Sequence, residues 1–337
     1  MTSSPAPSPA APQCPLCGQP MRPWLTVPTD WLRPAVQGPF QLYWCETSQL
    51  GRQHPMPGPD FIAHLYAAEH YYTHQVESTP EPDTATPWLD RLLAHLAWRR
   101  DHSINLSADW VEKHCGSQPI QICEIGCGNG RLLGELQQAG HQVIGVEPDP
   151  QAQQLAAREF GVSVFTGTLE ALPGEVLGQS YDLLIMSHVL EHVVDPAVAL
   201  RNAARLLKPG GKLVVETPNN AALSLAWSGN TWFCLRVPEH LQFFTRRSLE
   251  GYCEQVGLRV VGAEFSNAQR QFLADYISTE QQIWDCFVNR GAEPRELPPR
   301  NSRLRAWRLF LSSLFAPEEQ RYDCVRVIAE QVNEATL

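Results

Sequence analysis

Residues 120–130 read Ile-Gln-Ile-Cys-Glu-Ile-Gly-Cys-Gly-Asn-Gly, a short apolar run that breaks into three alternating glycines. A helical pattern follows at once, with Leu132, Leu133 and Leu136 on one face. Downstream the same alternation repeats. Strands are expected at 142–147, 162–166, 181–187, 212–217 and 258–265, and helices at 150–160, 196–207 and 246–256. Asp195 followed by Pro196 is a helix-starting pair, since the carboxylate caps free N–H groups and proline fits the first turn. Lys208-Pro209-Gly210-Gly211 ends that helix. Residues 322–331 read as one more strand. Strands separated by single helices predict an α/β fold with a doubly wound, mostly parallel sheet.

The glycine loop sits where the backbone turns from strand into helix, and glycine permits a ligand to approach closely there. Glu147 lies at the tip of the second strand, 21 residues beyond Gly126. A carboxylate so placed can accept from both hydroxyls of a ribose, so a nucleoside-containing cofactor is expected. The dinucleotide pattern G-x-G-x-x-G is not met, because Arg131 stands where its third glycine is required. The plainer alternative is a tight strand–helix turn with a solvated strand end.

Four segments in order, ICEIGCGNGRLL, VIGVEPDP, YDLLIMSHVLEHVVDP and LLKPGGKLVVETPN, resemble the successive motifs of class I S-adenosylmethionine-dependent methyltransferases. The resemblance spans residues 118–265 and extends to the last strand. It implies a seven-stranded Rossmann-like sheet whose final strand runs antiparallel. It also implies that Gly126, Gly128 and Gly130 pass beneath the methionine part of S-adenosylmethionine, that Glu124 helps hold its amino group, and that Glu147 takes the ribose. Thr168 and Leu169 would flank the adenine, and Ser187 and His188 would face the methyl group.

His188, Glu191 and His192 stand at i, i+3 and i+4, one face of a helix if the stretch is helical. His240 follows the fifth strand of the series. These four donors can hold a divalent metal, or one histidine can take a proton from an acceptor hydroxyl. The segment is similar to the ExxEH stretch of ubiquinone-pathway O-methyltransferases and of small-RNA 2′-O-methyltransferases, the latter metal-dependent, with His188 in place of the first glutamate. The alternative is that the Glu–His pair only braces the helix start. His188, His240, Glu191 and His192 are the expected catalytic set.

The chain divides by texture into a tail at 1–12, a zinc-ribbon-like segment at 13–60, a helical linker or lid at 61–117, and the α/β domain at 118–337 with a helical insertion at 268–320. Cys14-Pro-Leu-Cys17-Gly has the form of a zinc knuckle. Cys45 begins a second, but Ser48 stands where a thiolate is wanted, so His54 is the expected fourth ligand of a zinc ion; the alternative is a ribbon kept by packing after losing its metal. The layout resembles sugar C-methyltransferases that carry a small zinc ribbon before the catalytic domain. Residues 66–74, rich in Tyr and His, can close a substrate pocket or form ordinary core. Arg300, Arg303, Arg305 and Arg308 can face phosphates or an anionic membrane surface, or stay solvated on an amphipathic helix.

The 337 residues carry 26 Lys+Arg against 36 Asp+Glu, a net charge of −10, which disfavours a general nucleic-acid binder. No apolar run is long enough to cross a membrane, and the proline-rich start lacks the basic and apolar regions of a secretory signal. A cytoplasmic protein with reduced thiols is expected. The expected activity is transfer of a methyl group to a small-molecule, sugar or lipid-linked acceptor. The rivals are a non-catalytic interaction protein and a nicotinamide-dependent oxidoreductase.

Overall fold

The computed structural model describes residues 11–33, 35–58, 60–62, 87–102 and 105–332. The first ten residues and the stretch 66–74 lie outside the described residues. Eleven strands are described: β1 (Arg22–Thr29), β2 (Gln37–Cys45), β3 (Leu50–Gln53), β4 (Gln121–Ile125), β5 (Gln142–Glu147), β6 (Val164–Thr166), β7 (Tyr181–Ser187), β8 (Leu207–Pro218), β9 (Gln242–Phe243), β10 (Leu258–Ser266) and β11 (Cys324–Gln331). The principal helices are α1 (Trp88–Arg100), α2 (Ala108–Cys115), α3 (Arg131–Gln138), α4 (Pro150–Phe160), α5 (Pro196–Arg205), α6 (Leu223–Ser228), α7 (Arg246–Gln255), α8 (Ala274–Asn289) and α9 (Arg303–Ser313).

Seven strands form one sheet in the order β10-β11-β8-β7-β4-β5-β6. Neighbours from β6 to β8 pair in parallel, and β11 is antiparallel to both β8 and β10, as the resemblance implied. The central strands are apolar on both faces because helices cover both. Leu183 and Ile185 of β7 pack with Trp110 of α2 and Leu136 of α3. The alternate residues Leu184 and Met186 pack with Leu200 and Ala203 of α5 and Leu249 of α7. Asp195 caps α5 by accepting from Val198 N–H at 3.0 Å, with Pro196 in the first turn. The Lys-Pro-Gly-Gly segment lies inside β8, which starts at Leu207, and does not precede a strand at 212 as expected. The reason is that Leu207 already pairs with Tyr181 before the bulge that follows.

The second sheet is antiparallel, in the order β1-β2-β3-β9. Its first three strands come from the cysteine-containing segment. Its fourth, β9, comes from beyond the fifth strand of the large sheet, with Gly51 opposite Phe243 and Arg52 opposite Gln242. Trp24 packs on Trp44 at 4.9 Å and edge-on to Phe243 at 5.9 Å, which buries the junction. In the 268–320 insertion, α8 and α9 supply apolar residues that close on α1 and α6. Three of the four arginines singled out there have intramolecular partners: Arg300 pairs with Asp285, Arg303 with Asp90, and Arg305 donates to the Trp227 carbonyl. Arg308 is exposed. Among the described residues no helix is long and apolar enough to cross a membrane.

Inside the sheet edge, Arg326 of β11 bridges Glu216 of β8 at 2.5 Å and Glu264 of β10 at 2.8 Å, and its side chain is 2% exposed. Removing one member of a buried ionic set leaves the others uncompensated. An Arg326→Met variant is expected to lose about 3–5 kcal/mol of stability in urea denaturation. A loss below about 1 kcal/mol would show that water solvates the carboxylates adequately.

Candidate active site at the carboxyl ends of the strands

β4 delivers Glu124 and the glycine loop, and β5 delivers Glu147 beside it, because the two strands are parallel neighbours. Gly126, Gly128 and Gly130 all have positive φ, at 70°, 51° and 77°. Side chains rarely adopt that conformation. Space forbids them too: a Cβ on Gly126 would meet Val189 at 2.4 Å, and one on Gly130 would meet Ala156 at 2.7 Å. The loop is anchored where Gly126 N–H donates to the Val146 carbonyl at 2.7 Å.

Glu147 accepts from Gly128 N–H at 3.0 Å through one oxygen and from Asp149 N–H at 3.2 Å through the other. Burial raises its pKa, while these two N–H donors act against the rise. Each oxygen keeps a lone pair for a ribose hydroxyl. Glu124 is buried, and its Oε2 has no hydrogen-bond partner. Burial, with the neighbouring Glu147 charge, pushes its pKa up to about 8. An orphaned buried carboxyl oxygen beside a side-chain-free loop fits the ammonium end of S-adenosylmethionine. Thr168 is exposed, and its hydroxyl accepts from Ala171 N–H at 3.2 Å. Leu169, the other residue expected to flank adenine, is buried in the core cluster of the large sheet. Packing against the sheet leaves its main chain at the loop, where the carbonyl accepts from Asn202 Nδ2.

β7 ends at Ser187. His188, φ 57°, then takes a left-handed turn, with its N–H donating to the Glu216 carbonyl at 2.8 Å. Only Leu190–His192 coil, as a single 3₁₀ turn. The expected shared helical face therefore does not form, and His188 keeps its contact with Glu191 while standing apart from the group that Glu191 makes with His192 and His240. Its Nδ1 donates to Glu191 Oε1 at 3.1 Å, and its Nε2 lies 3.9 Å from both Cys324 Sγ and Glu216 Oε1. Burial opposes its charged form, yet the contacts with Cys324 and Glu191 hold its pKa well above the ordinary histidine value. The side chain is 37% exposed, so a ligand can reach it.

Glu191, His192 and His240 converge instead, with one donor atom of each within 4.8 Å of the others. His240 lies just before β9, beyond the helical excursion of residues 219–239, and not at the strand end. His192 Nδ1 donates to the Glu239 carbonyl at 3.1 Å and His240 Nδ1 to the Cys234 carbonyl at 3.0 Å. A carbonyl only accepts, so Nδ1 carries the proton in each ring and Nε2 is the basic nitrogen. Burial lowers both pKa values, His240 far below the usual range, so both rings are neutral. Two imidazole nitrogens and a carboxylate at this spacing can hold a divalent ion or share a proton. The sequence reading missed Glu216 and Cys324. Glu216 stands in the quoted LVVETPN motif and also accepts from the Ser187 and Ser266 hydroxyls. No sequence signal joins it to Cys324, which only the pairing of β8 with β11 brings near.

In the small sheet, the Sγ atoms of Cys14, Cys17 and Cys45 lie within 4.8 Å of one another. His54 is not part of this group. It packs edge-on to Tyr43 at 5.6 Å because β3 carries it past the turn. Ser48 occupies the place expected for it, 3.1 Å from Cys14 Sγ.

A family model described as "Methyltransferase domain" matches residues 93–263. Among curated proteins, a ubiquinone biosynthesis O-methyltransferase of Albidiferax ferrireducens is 30% identical over 204 residues, 55% of this chain and 81% of its own. One from Pseudomonas aeruginosa is 35% identical over 186 residues, 50% of this chain and 80% of its own. Among solved structures, an S-adenosylmethionine-dependent methyltransferase from Archaeoglobus fulgidus aligns with a TM-score of 0.42 at 19% identity, covering 66% of this chain and 92% of that one.

Two outcomes follow for the loop and its carboxylates. Glu147→Ala is expected to weaken S-adenosylhomocysteine binding more than about tenfold by calorimetry, and unchanged affinity would remove the ribose assignment. The raised pKa of Glu124 means that the folded ligand-free state holds a proton the unfolded state has released. Its contribution to stability is complete below about pH 4.5 and is lost as pH rises through about 8. Glu124→Gln should flatten that part of the decline in urea denaturation between those limits; an identical decline would place the effect elsewhere.

Proposed function

The chain belongs to the methyltransferase-domain family, and on that premise we propose that it moves a methyl group to a hydroxyl oxygen of a small-molecule acceptor. The observation that carries this reading is the pairing of His188 with Glu191 and Glu216 beside the cofactor loop. The O-methyltransferase names of relatives aligned over about four-fifths of their own length support an oxygen acceptor.

S-adenosylmethionine, when bound, supplies an electrophilic methyl on a sulfonium for in-line displacement. The chain's own residues position and desolvate. Gly126 to Gly130 admit the cofactor without side-chain collision, Glu124 offers its unpartnered oxygen to a cation, and Glu147 offers lone pairs to hydroxyls. With its pKa held well above the ordinary value by Cys324 and Glu191, His188 acts as a cationic donor with a partly open face. It donates to the acceptor oxygen and orients it while the hydroxyl proton passes to water, which is an orienting and electrostatic role rather than that of a base. Glu191 fixes the ring of His188. His192 and His240, neutral and buried, hold the other side of Glu191 and keep a basic nitrogen within the cluster.

The test is release of S-adenosylhomocysteine from the purified chain with catechol, sugar and amine acceptors in parallel. Hydroxyl-dependent release is expected, and release with amines alone overturns the oxygen reading. His188→Asn should lower kcat by about a hundredfold while leaving cofactor affinity unchanged. The histidine's raised pKa sets the sign of the pH profile: the activity that His188 supports is present below that pKa and falls as pH climbs through it. A rate that rises with pH and survives the substitution would assign the proton chemistry to another group.

A further inference from the structure

The cysteine cluster of the small sheet lies outside the matched family region and plays no part in the methyl-transfer site. Its geometry is that of a coordination shell. Cys17 Sγ and Cys45 Sγ are 3.5 Å apart, and Cys14 Sγ and Ser48 Oγ are 3.1 Å apart. A disulfide requires about 2.05 Å between sulfurs, so the separation is not that of a bond. A tetrahedral zinc with Zn–S near 2.3 Å has sulfur–sulfur edges of about 3.8 Å, which three thiolates within 4.8 Å of one another meet with little movement.

The frame around the four atoms is preformed. Gly18 N–H donates to the Cys14 carbonyl and Cys14 N–H to the Gln19 carbonyl, both at 2.8 Å, which closes the first knuckle. Gly18 has φ 70°, a conformation the turn needs and glycine supplies. Cys45 ends β2, and the turn to Leu50 at the start of β3 brings Ser48 back over it. Cys14, Cys45 and Ser48 are buried. Soft thiolates select zinc over magnesium or calcium, and a closed four-donor shell marks a structural ion.

We propose that Cys14, Cys17 and Cys45 bind one zinc ion with Ser48 Oγ, not His54, as the fourth donor. The ion ties the knuckle to the β2–β3 turn, on the side where Leu16 rests against Gly251 of α7 and Gln49 accepts from Thr245 Oγ1 at 3.0 Å.

The experiment uses the full chain, purified under reductant without chelator, and combines elemental analysis with anaerobic cobalt replacement. About one zinc per chain is expected, with the intense thiolate-to-cobalt charge-transfer band of a tetrahedral site. Ser48→Cys should tighten cobalt binding about tenfold or more and strengthen that band. His54→Ala should leave stoichiometry and spectrum unchanged. Only trace metal together with no charge-transfer band on cobalt addition overturns the site, as does a Cys17–Cys45 disulfide in the reduced preparation. Loss of metal in His54→Ala, or an unmoved affinity in Ser48→Cys, overturns the Ser48 assignment.

Discussion

Two carboxyl groups are buried at the ends of adjacent parallel strands, and among the described residues neither forms an ion pair. Everything at this end of the sheet depends on that choice. Burial raises the cost of ionising both, and the charge of Glu147 adds to it for Glu124 and that of Asp149 for Glu147. The glycine loop between them cannot relieve the cost with a side chain, because its left-handed backbone and the contacts with Val189 and Ala156 exclude one. The protein thus keeps two buried carboxyl groups beside a loop without side chains, an arrangement that a cationic ligand would complete. The parallel pairing of β4 with β5 fixes the distance between the two carboxylates, and the helices on both faces fix the strands.

A similar arrangement with opposite sign surrounds His188. His188 is a partly exposed ring whose charged form is favoured by Cys324 and Glu191. The left-handed turn at His188 separates it from His192, so that one histidine faces outward and two face inward. Arg326 keeps Glu216 from being a free base, and Glu239, held below the usual carboxylate range by Arg236 and Arg33 against its burial, lends its carbonyl to His192. The polar residues around the site therefore form one connected set in which most members are fixed by another.

Much of this was legible in the sequence. The strands of the large sheet read as apolar runs because both of their faces are buried, and the glycine spacing with Glu147 reported the loop and the carboxyl group that two of them set side by side. What could not be read depended on single dihedral angles and on pairing across long separations. A run of His-Val-Leu-Glu-His carries no sign that its first residue will turn left-handed, so the shared helical face looked natural. Leu169 sits in a loop whose sequence gives no clue to which side its chain will bury. Ser48 and His54 are both near Cys45 in sequence, and only the β2–β3 register decides which one the turn returns to the thiols.

The fourth strand of the small sheet has a consequence for the order in which the molecule can be made. A ribosome releases residues 13–60 long before it reaches Gln242 and Phe243. Until then β3 has an unpaired edge and Trp24 lacks one of its aromatic neighbours. The small sheet thus stays incomplete long after its first three strands are made, and it closes only when the strand beside His240 arrives. An edge left open through most of synthesis is an invitation to the wrong partner. The short length of β3, four residues with Arg52 among them, limits how long a stretch such a partner could pair with.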